Sequence, residues 1–261
     1  MTDVLSHSDA IARLVQWGWI PKEDNLDTYV GDKLSAVVAR YQQFHGLKVD
    51  GDLGPVTASQ MMVRRCGVPD QAGSGMCQWP MKDVTASQRL EFSSLSAADC
   101  KRAYQSALDS WNAVCGIRLV LTEDFGRANI FANPGRIDGR SGTLAWSYLP
   151  CGANQNSRME QKYDTGESWT FNFLKGVAAH EIGHALGLSH SSSKSDLMAP
   201  IFNGNILTPQ AGDIREVVAR YGKPTNPPPV PPTGPTDPGE IPVNGTIYIG
   251  VVPYQLVRVD Q

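Results

Sequence analysis

The stretch His180-Glu181-Ile182-Gly183-His184-Ala185-Leu186-Gly187-Leu188-Ser189-His190 decides how this chain is read. On a helix, His180 and His184 stand four residues apart on one face and can grip one ion together. Glu181 lies beside them, placed to act on a water at that ion rather than to bind it. Gly187 lets the chain leave the helix with a positive φ, which side-chain-bearing residues resist. The turn can then carry His190 back to a third coordination position. Three neutral imidazoles and one open position make the ligand set of a catalytic zinc, whereas a structural zinc is closed by a fourth protein ligand. Two His and a Glu at the shorter spacing occur on many helices. Three of the chain's five His, with Gly at the breaking point, form a far more specific signal.

Further along, Asp196-Leu197-Met198-Ala199-Pro200 resembles the Met-turn of the metzincins, in which a methionine forms an apolar floor beneath the metal. Met198 takes that part. Upstream stands Arg65-Cys66-Gly67-Val68-Pro69-Asp70. Together with the zinc motif, it makes residues 9–223 resemble a matrixin, a matrix metalloproteinase, in zymogen form. The resemblance implies a cysteine switch, with the Cys66 thiolate on the zinc and Arg65 and Asp70 paired to shape the loop. A thiolate is a strong zinc ligand, so the chemistry supports that reading. Arg64 departs from the family, which usually has Pro there.

The implied fold class is α+β: a small three-helix prodomain, then a metzincin catalytic domain with a twisted, mostly parallel five-stranded sheet and three helices. The chain divides accordingly. Residues 1–70 form a helical prodomain ending in the switch, and 71–78 an activation segment rich in Gly and Ser. Residues 79–223 form the protease domain, 224–240 a Pro-rich linker that is extended and semi-rigid, and 241–261 a short β-alternating tail. In the first unit, helices are expected over 9–20 (breaking at Gly18), over 32–45, and from a Thr57 cap to Arg65. Leu34, Val37, Val38, Tyr41 and Phe44 make one apolar stripe. Asp50-Gly51-Asp52-Leu53-Gly54-Pro55-Val56-Thr57 is closer to bacterial peptidoglycan-binding domains than to animal matrixin prodomains. In the second unit, residues 88–93 suggest a first strand and 97–114 a helix. Strands are expected over 117–121 and 129–132, the zinc helix over 173–186, and a last helix over 208–221 capped by Thr208 with Pro209 at its first position.

Asp138-Gly139-Arg140-Ser141-Gly142-Thr143-Leu144-Ala145-Trp146 resembles the matrixin calcium loop leading into the sheet's edge strand. Leu144 and Ala145 would offer backbone groups to a substrate added as a further strand. Asp138, Asp164 and Glu167 are hard oxygen ligands suited to calcium. Pro200, Ile201 and Phe202 would line the pocket for the side chain just after the scissile bond. Matrixins carry a second, structural zinc on histidines, but Trp146 and Lys162 stand in two of those places and no His occurs between His45 and His180. One catalytic zinc and a calcium ion are therefore the expected metals.

With a net charge of −3, the 261 residues carry no nucleic-acid footprint, and no apolar run reaches a membrane span. The expected partners are a protein or peptide substrate and, through the N-terminal module, peptidoglycan; the expected state is a monomer. Secretion is the favoured localisation, although the N-terminus shows no signal peptide. Cys100 and Cys115 flank one expected helix, roughly 22 Å apart, too far to pair. Setting Cys66 aside, the other four cysteines either form two disulfides, 77–115 with 100–151 or 77–100 with 115–151, or remain four buried free thiols. The whole reads as a latent zinc endopeptidase. The alternative is a metallohydrolase targeted to peptidoglycan by its first module.

Overall fold

A computed structural model describes residues 5–70, 78–140, 142–150 and 158–224, and the backbone of 245–249 and 252–256. They fall into two units, divided after Thr225. In the first, α1 (His7–Gln16) starts at Ser6, whose hydroxyl accepts the Asp9 amide, and buries Ala10 and Leu14. It ends earlier than expected, since the chain turns at Gly18, with φ 77°. Helix α2 (Gly31–Phe44) buries the stripe Leu34, Val37, Val38 and Tyr41. Helix α3 (Pro55–Met61) has Gly54 as its cap and Pro55 at its first position. Thr57 is therefore not the cap; it is buried inside the helix and its hydroxyl donates to the Asp52 carbonyl at 3.1 Å.

The three helices close on Trp17, Trp19, Ile20, Tyr29 and Met61. Gln42 clasps the turn before α3. Its carbonyl accepts from the amides of Asp50 (3.0 Å) and Gly51 (2.8 Å), and its Nε2 donates to Asp50, Asp52 and Thr57. The residues that make this segment resemble a peptidoglycan-binding domain thus lock their own loop.

The larger core belongs to β1 (Asp83–Gln88), α4 (Ala97–Asn112), β2 (Arg118–Leu121), β3 (Ile130–Gly135), β4 (Ala145–Ser147), β5 (Met159–Asp164), α5 (Phe171–Ala185) and α6 (Ala211–Tyr221). The strand order is β2-β1-β3-β5-β4. All neighbours are parallel except β4, which runs antiparallel to β5 along one edge. This is the α+β architecture of a mostly parallel five-stranded sheet with three helices.

Two boundaries differ from the sequence reading. The first strand covers 83–88, not 88–93: Val84 and Ala86 point into the core, while Leu90 and Phe92 are buried just past the ladder. Their apolarity reflects packing, not strand pairing. The last helix begins at Ala211 after a Gln210 cap, not at Thr208 and Pro209, because Asp213 turns back to accept the Gln210 amide at 2.8 Å. Trp146 and Lys162 are register partners across β4 and β5, with the ammonium 5.8 Å from the indole centroid. Cys100 and Cys115 are buried free thiols, so neither expected disulfide set is formed; Cys77 and Cys151 lie outside the described residues. In the second unit, β6 (Gly245–Ile249) and β7 (Val252–Leu256) pair antiparallel. Among the described residues, no helix is long and apolar enough to cross a membrane.

Candidate metal centre and cleft

Helix α5 carries the first two imidazoles and lies against α4, where the Trp111 indole donates to the Ala179 carbonyl at 2.8 Å. The last carbonyls of a helix have no partner within it. Here the Trp79 indole takes that of Ala185 (2.8 Å) and the Tyr221 hydroxyl that of Leu186 (2.9 Å). The chain then leaves at Gly187 with φ 90° and returns His190 beside His180 and His184. Met198 is buried beneath the helix. A Cβ on Gly183 would stand 2.4 Å from its sulfur and 2.9 Å from the Trp111 ring, so only glycine fits between the two histidines at this depth. Asp213, 2% exposed, holds the Met-turn from below, accepting the amides of Leu197 (2.8 Å) and Met198 (3.0 Å).

Each imidazole has its Nδ1 engaged. His180 faces the Leu197 carbonyl at 2.7 Å and His184 the Leu188 carbonyl at 2.8 Å. His190 faces the Asp70 carboxylate at 2.9 Å. Carbonyls and carboxylates only accept, so Nδ1 carries the proton and Nε2 presents its lone pair. Burial pushes all three pKa values down, that of His180 to about 3, with the neighbouring imidazoles adding to the effect at His180 and His184. Neutral imidazoles are what a metal needs. The ligand atoms of Cys66, His180, His184 and His190 lie within 4.8 Å of one another, and the Cys66 sulfur is 3.4 Å from His184 Nε2. A tetrahedral zinc with bonds of roughly 2.0–2.3 Å sets its ligand atoms about 3.3–3.8 Å apart. His190 Nε2 is buried with no hydrogen-bond partner. The donor set therefore fits one zinc.

Glu181 is fully buried, and neither carboxylate oxygen has a hydrogen-bond partner, the Cys66 sulfur being its polar neighbour. Burial pushes its pKa up to about 8. Burial, and then the charge of Glu181, push the Cys66 thiol well above its ordinary value, so a thiolate here needs a cation beside it. The segment around Cys66 lies in a cleft between two walls. Leu144 donates to the Arg65 carbonyl (2.9 Å), Gly67 to that of Ala145 (2.8 Å), and Cys66 to that of Pro200 (2.9 Å). Arg65 pairs parallel to Thr143 and antiparallel to Ile201. The backbone groups assigned from sequence to substrate are thus taken up by residues 65–67. Beside Cys66, a cavity of about 20 Å³ is lined by Leu144, Val177, Pro200, Ile201 and Phe202, among others.

Arg65 and Asp70 form a buried ion pair. Arg64, in the family's Pro position, reaches Glu167 at 3.7 Å and lies 5.2 Å from the Phe173 ring centroid. Sequence reasoning missed Trp19, whose indole donates to Asp70 at 2.9 Å, and His45, 3.5 Å from the same carboxylate. Both belong to the helical module, and nothing in their spacing points to a site over a hundred residues away.

Two of the three acids assigned to calcium, Asp164 and Asp138, accept backbone amides. Asp164 accepts the amides of Ile137, Asp138, Gly139 and Gly166, and these bonds hold its pKa down against the effect of burial. Asp138 accepts the Thr143 amide at 2.9 Å through both oxygens. Among the described residues, the metal-ligating side chains that converge are Cys66 and the three histidines, not Asp138, Asp164 and Glu167.

Comparison with known proteins agrees with this geometry. Residues 9–61 match the putative peptidoglycan binding domain family. The chain is 35% identical over 215 residues to the interstitial collagenase of Sus scrofa, covering 76% of this chain and 44% of that protein. It is 33% identical over 218 residues to the neutrophil collagenase of Homo sapiens, covering 76% of this chain and 45% of that one. It is 30% identical over 260 residues to matrix metalloproteinase-C of Caenorhabditis elegans, covering 84% of this chain and 44% of that one. The chain thus spans slightly less than half the length of these relatives. Residues 78–222, more than half of the chain, match the family described as matrixin, and they contain the histidine cluster, Glu181 and Met198: the chain belongs to the matrixin family.

Proposed function

We propose that the protein is a zinc endopeptidase held latent by its own N-terminal segment. The observation that carries this reading is the convergence of His180, His184, His190 and Cys66, with every imidazole Nδ1 engaged and every Nε2 turned to one point. Zinc, when bound, supplies Lewis-acid polarisation of a water and of the scissile carbonyl. The three imidazoles would hold it, and Cys66 would add a thiolate ligand in the latent form. Glu181 takes a proton from the attacking water onto Oε and later gives it to the leaving amine. A carboxyl whose pKa burial pushes up, free of other hydrogen bonds, suits the donating half of that task as well as the accepting one. Once residues 65–67 leave, the backbone of Leu144 and Ala145 is free to pair with a substrate strand. Pro200, Ile201 and Phe202 then receive the side chain after the scissile bond.

The reading includes calcium on the adjoining loops that carry Asp138, Asp164 and Glu167, secretion, action on protein substrates, and the domain boundaries given above. Metal content and cleavage of a quenched generic peptide, before and after trypsin treatment, test it. One zinc per chain, with activity appearing only after treatment, is the expected result. Zinc with no peptide cleavage in either state would favour the second reading, a hydrolase directed to cell-wall peptides. The match of residues 9–61 supports that alternative, and co-sedimentation of the full chain with purified peptidoglycan would test it.

A further inference from the structure

The three imidazoles are not oriented from one place. His180 and His184 are fixed by the carbonyls of Leu197 and Leu188, which lie in the chain around them. His190 is fixed by Asp70, 120 positions away and four residues after Cys66. The Asp70 carboxyl is fully enclosed, and its own position is set by the helical module. Its Oδ2 accepts the Trp19 indole at 2.9 Å, with His45 Nε2 at 3.5 Å; its amide donates to the Trp17 carbonyl at 2.9 Å; and Arg65 shares Oδ1 with His190. A carboxylate on the far nitrogen of a metal-bound imidazole fixes its tautomer and raises the basicity of the ligating nitrogen, and loss of such a partner typically weakens metal binding 10–100-fold.

We propose that Asp70 is a positioning residue for His190, and that the helical module therefore tightens the hold on zinc as well as covering it. This rests on the zinc reading above. It also implies that departure of the N-terminal segment removes two things from the site, the Cys66 thiolate and the carboxylate behind His190. The mature site would then hold zinc less tightly than loss of the thiolate alone accounts for.

The test uses the full chain in a Cys66→Ser background, so that the thiolate is absent throughout. Zinc affinity is measured by competition with a chromophoric chelator. Asp70→Asn should weaken binding by about 10–100-fold, and an unchanged affinity would overturn the proposal. Arg65→Gln breaks the ion pair but leaves the His190 partner, so its loss should be clearly smaller. An equal loss would assign the effect to loop shape and overturn the proposal. A second readout needs no variant: in the zinc-loaded wild-type chain labelled with ¹⁵N-histidine, His190 should show a downfield, exchange-protected Nδ1 proton. Its absence would overturn the proposal even if Asp70→Asn fails to fold. In a folded Asp70→Ala chain, which has no acceptor left at that position, this signal alone should disappear, while those of His180 and His184 persist; loss of all three would mean a general collapse and count against a positioning role. No stoichiometric zinc in any form would overturn the zinc reading itself, and this proposal with it.

Discussion

The two sides of the metal centre are built differently. One side is resident: α5, the Gly187 turn and the Met-turn hold His180, His184 and Glu181 through contacts made within residues 79–223, namely Trp111 to Ala179, Trp79 to Ala185, Tyr221 to Leu186 and Asp213 to the Met-turn, and they return His190 to the same point. The other side is a visitor. Residues 65–70 enter the cleft by strand-like backbone bonds, and a buried Arg65–Asp70 pair braces them. The resident side is held by packing inside its own core, and the visiting side by backbone bonds to the cleft walls and by the contacts of Asp70 with Trp19, His45 and His190. That division is what the proposed latency requires, since the segment could then leave without unfolding the metal centre.

Substitutions should sort by side. On the resident side, Glu181→Ala should lower peptide hydrolysis by about 10²–10⁴-fold while zinc content stays at one per chain. Appreciable residual turnover would break the assignment. On the visiting side, Cys66→Ala should do the reverse, giving peptide hydrolysis without prior proteolysis. A fully latent variant would show that the cleft backbone bonds, not the thiolate, impose inhibition.

Smaller effects sharpen the comparison. Asp213→Ala leaves the amides of Leu197, Met198 and Gln210 without their acceptor. Uncompensated buried amides cost about 1–3 kcal/mol, or roughly 2–12 °C of melting temperature for a unit of this size. Calorimetry on the full chain would read it, and no shift would remove Asp213 from the frame. Gly183→Ala pushes a methyl into the Met198 sulfur and the Trp111 ring. Overpacking of this kind costs about 1–3 kcal/mol, and Gly183→Ala with Met198→Ala should recover part of it. Least of all, Arg64→Ala removes an ion pair whose Arg side chain is half exposed. Such pairs contribute about 0–1 kcal/mol, so latency measured as residual peptide cleavage should scarcely change. A large release of activity would make Arg64 a main latch.

Much of this was legible before any coordinates. The spacing of His180, Glu181, His184 and His190 writes the resident side almost completely, since helix geometry and a glycine turn fix where those side chains go. Cys66, Arg65 and Asp70 were legible by resemblance. The strand at 83–88 was not, because Leu90 and Phe92 mimic a strand while packing just beyond one. The acids at 138, 164 and 167 read as free oxygen ligands, yet backbone amides occupy Asp138 and Asp164.

By itself, then, the sequence determined the chemistry: two imidazoles and a carboxylate at helical spacing, a third imidazole just past a glycine turn, and a thiol in a short loop. Those are local facts, set by backbone periodicity over a few residues. Only the tertiary structure decided who orients whom. It places Trp19, His45 and Asp70 behind His190, sets residues 65–67 between the walls at 142–145 and 200–201, and leaves a cavity of about 20 Å³ beside Phe202. Such pairings join residues from 25 positions apart, His45 and Asp70, to 136 apart, Arg65 and Ile201. They follow from how the two cores pack against each other, and no spacing along the chain records that.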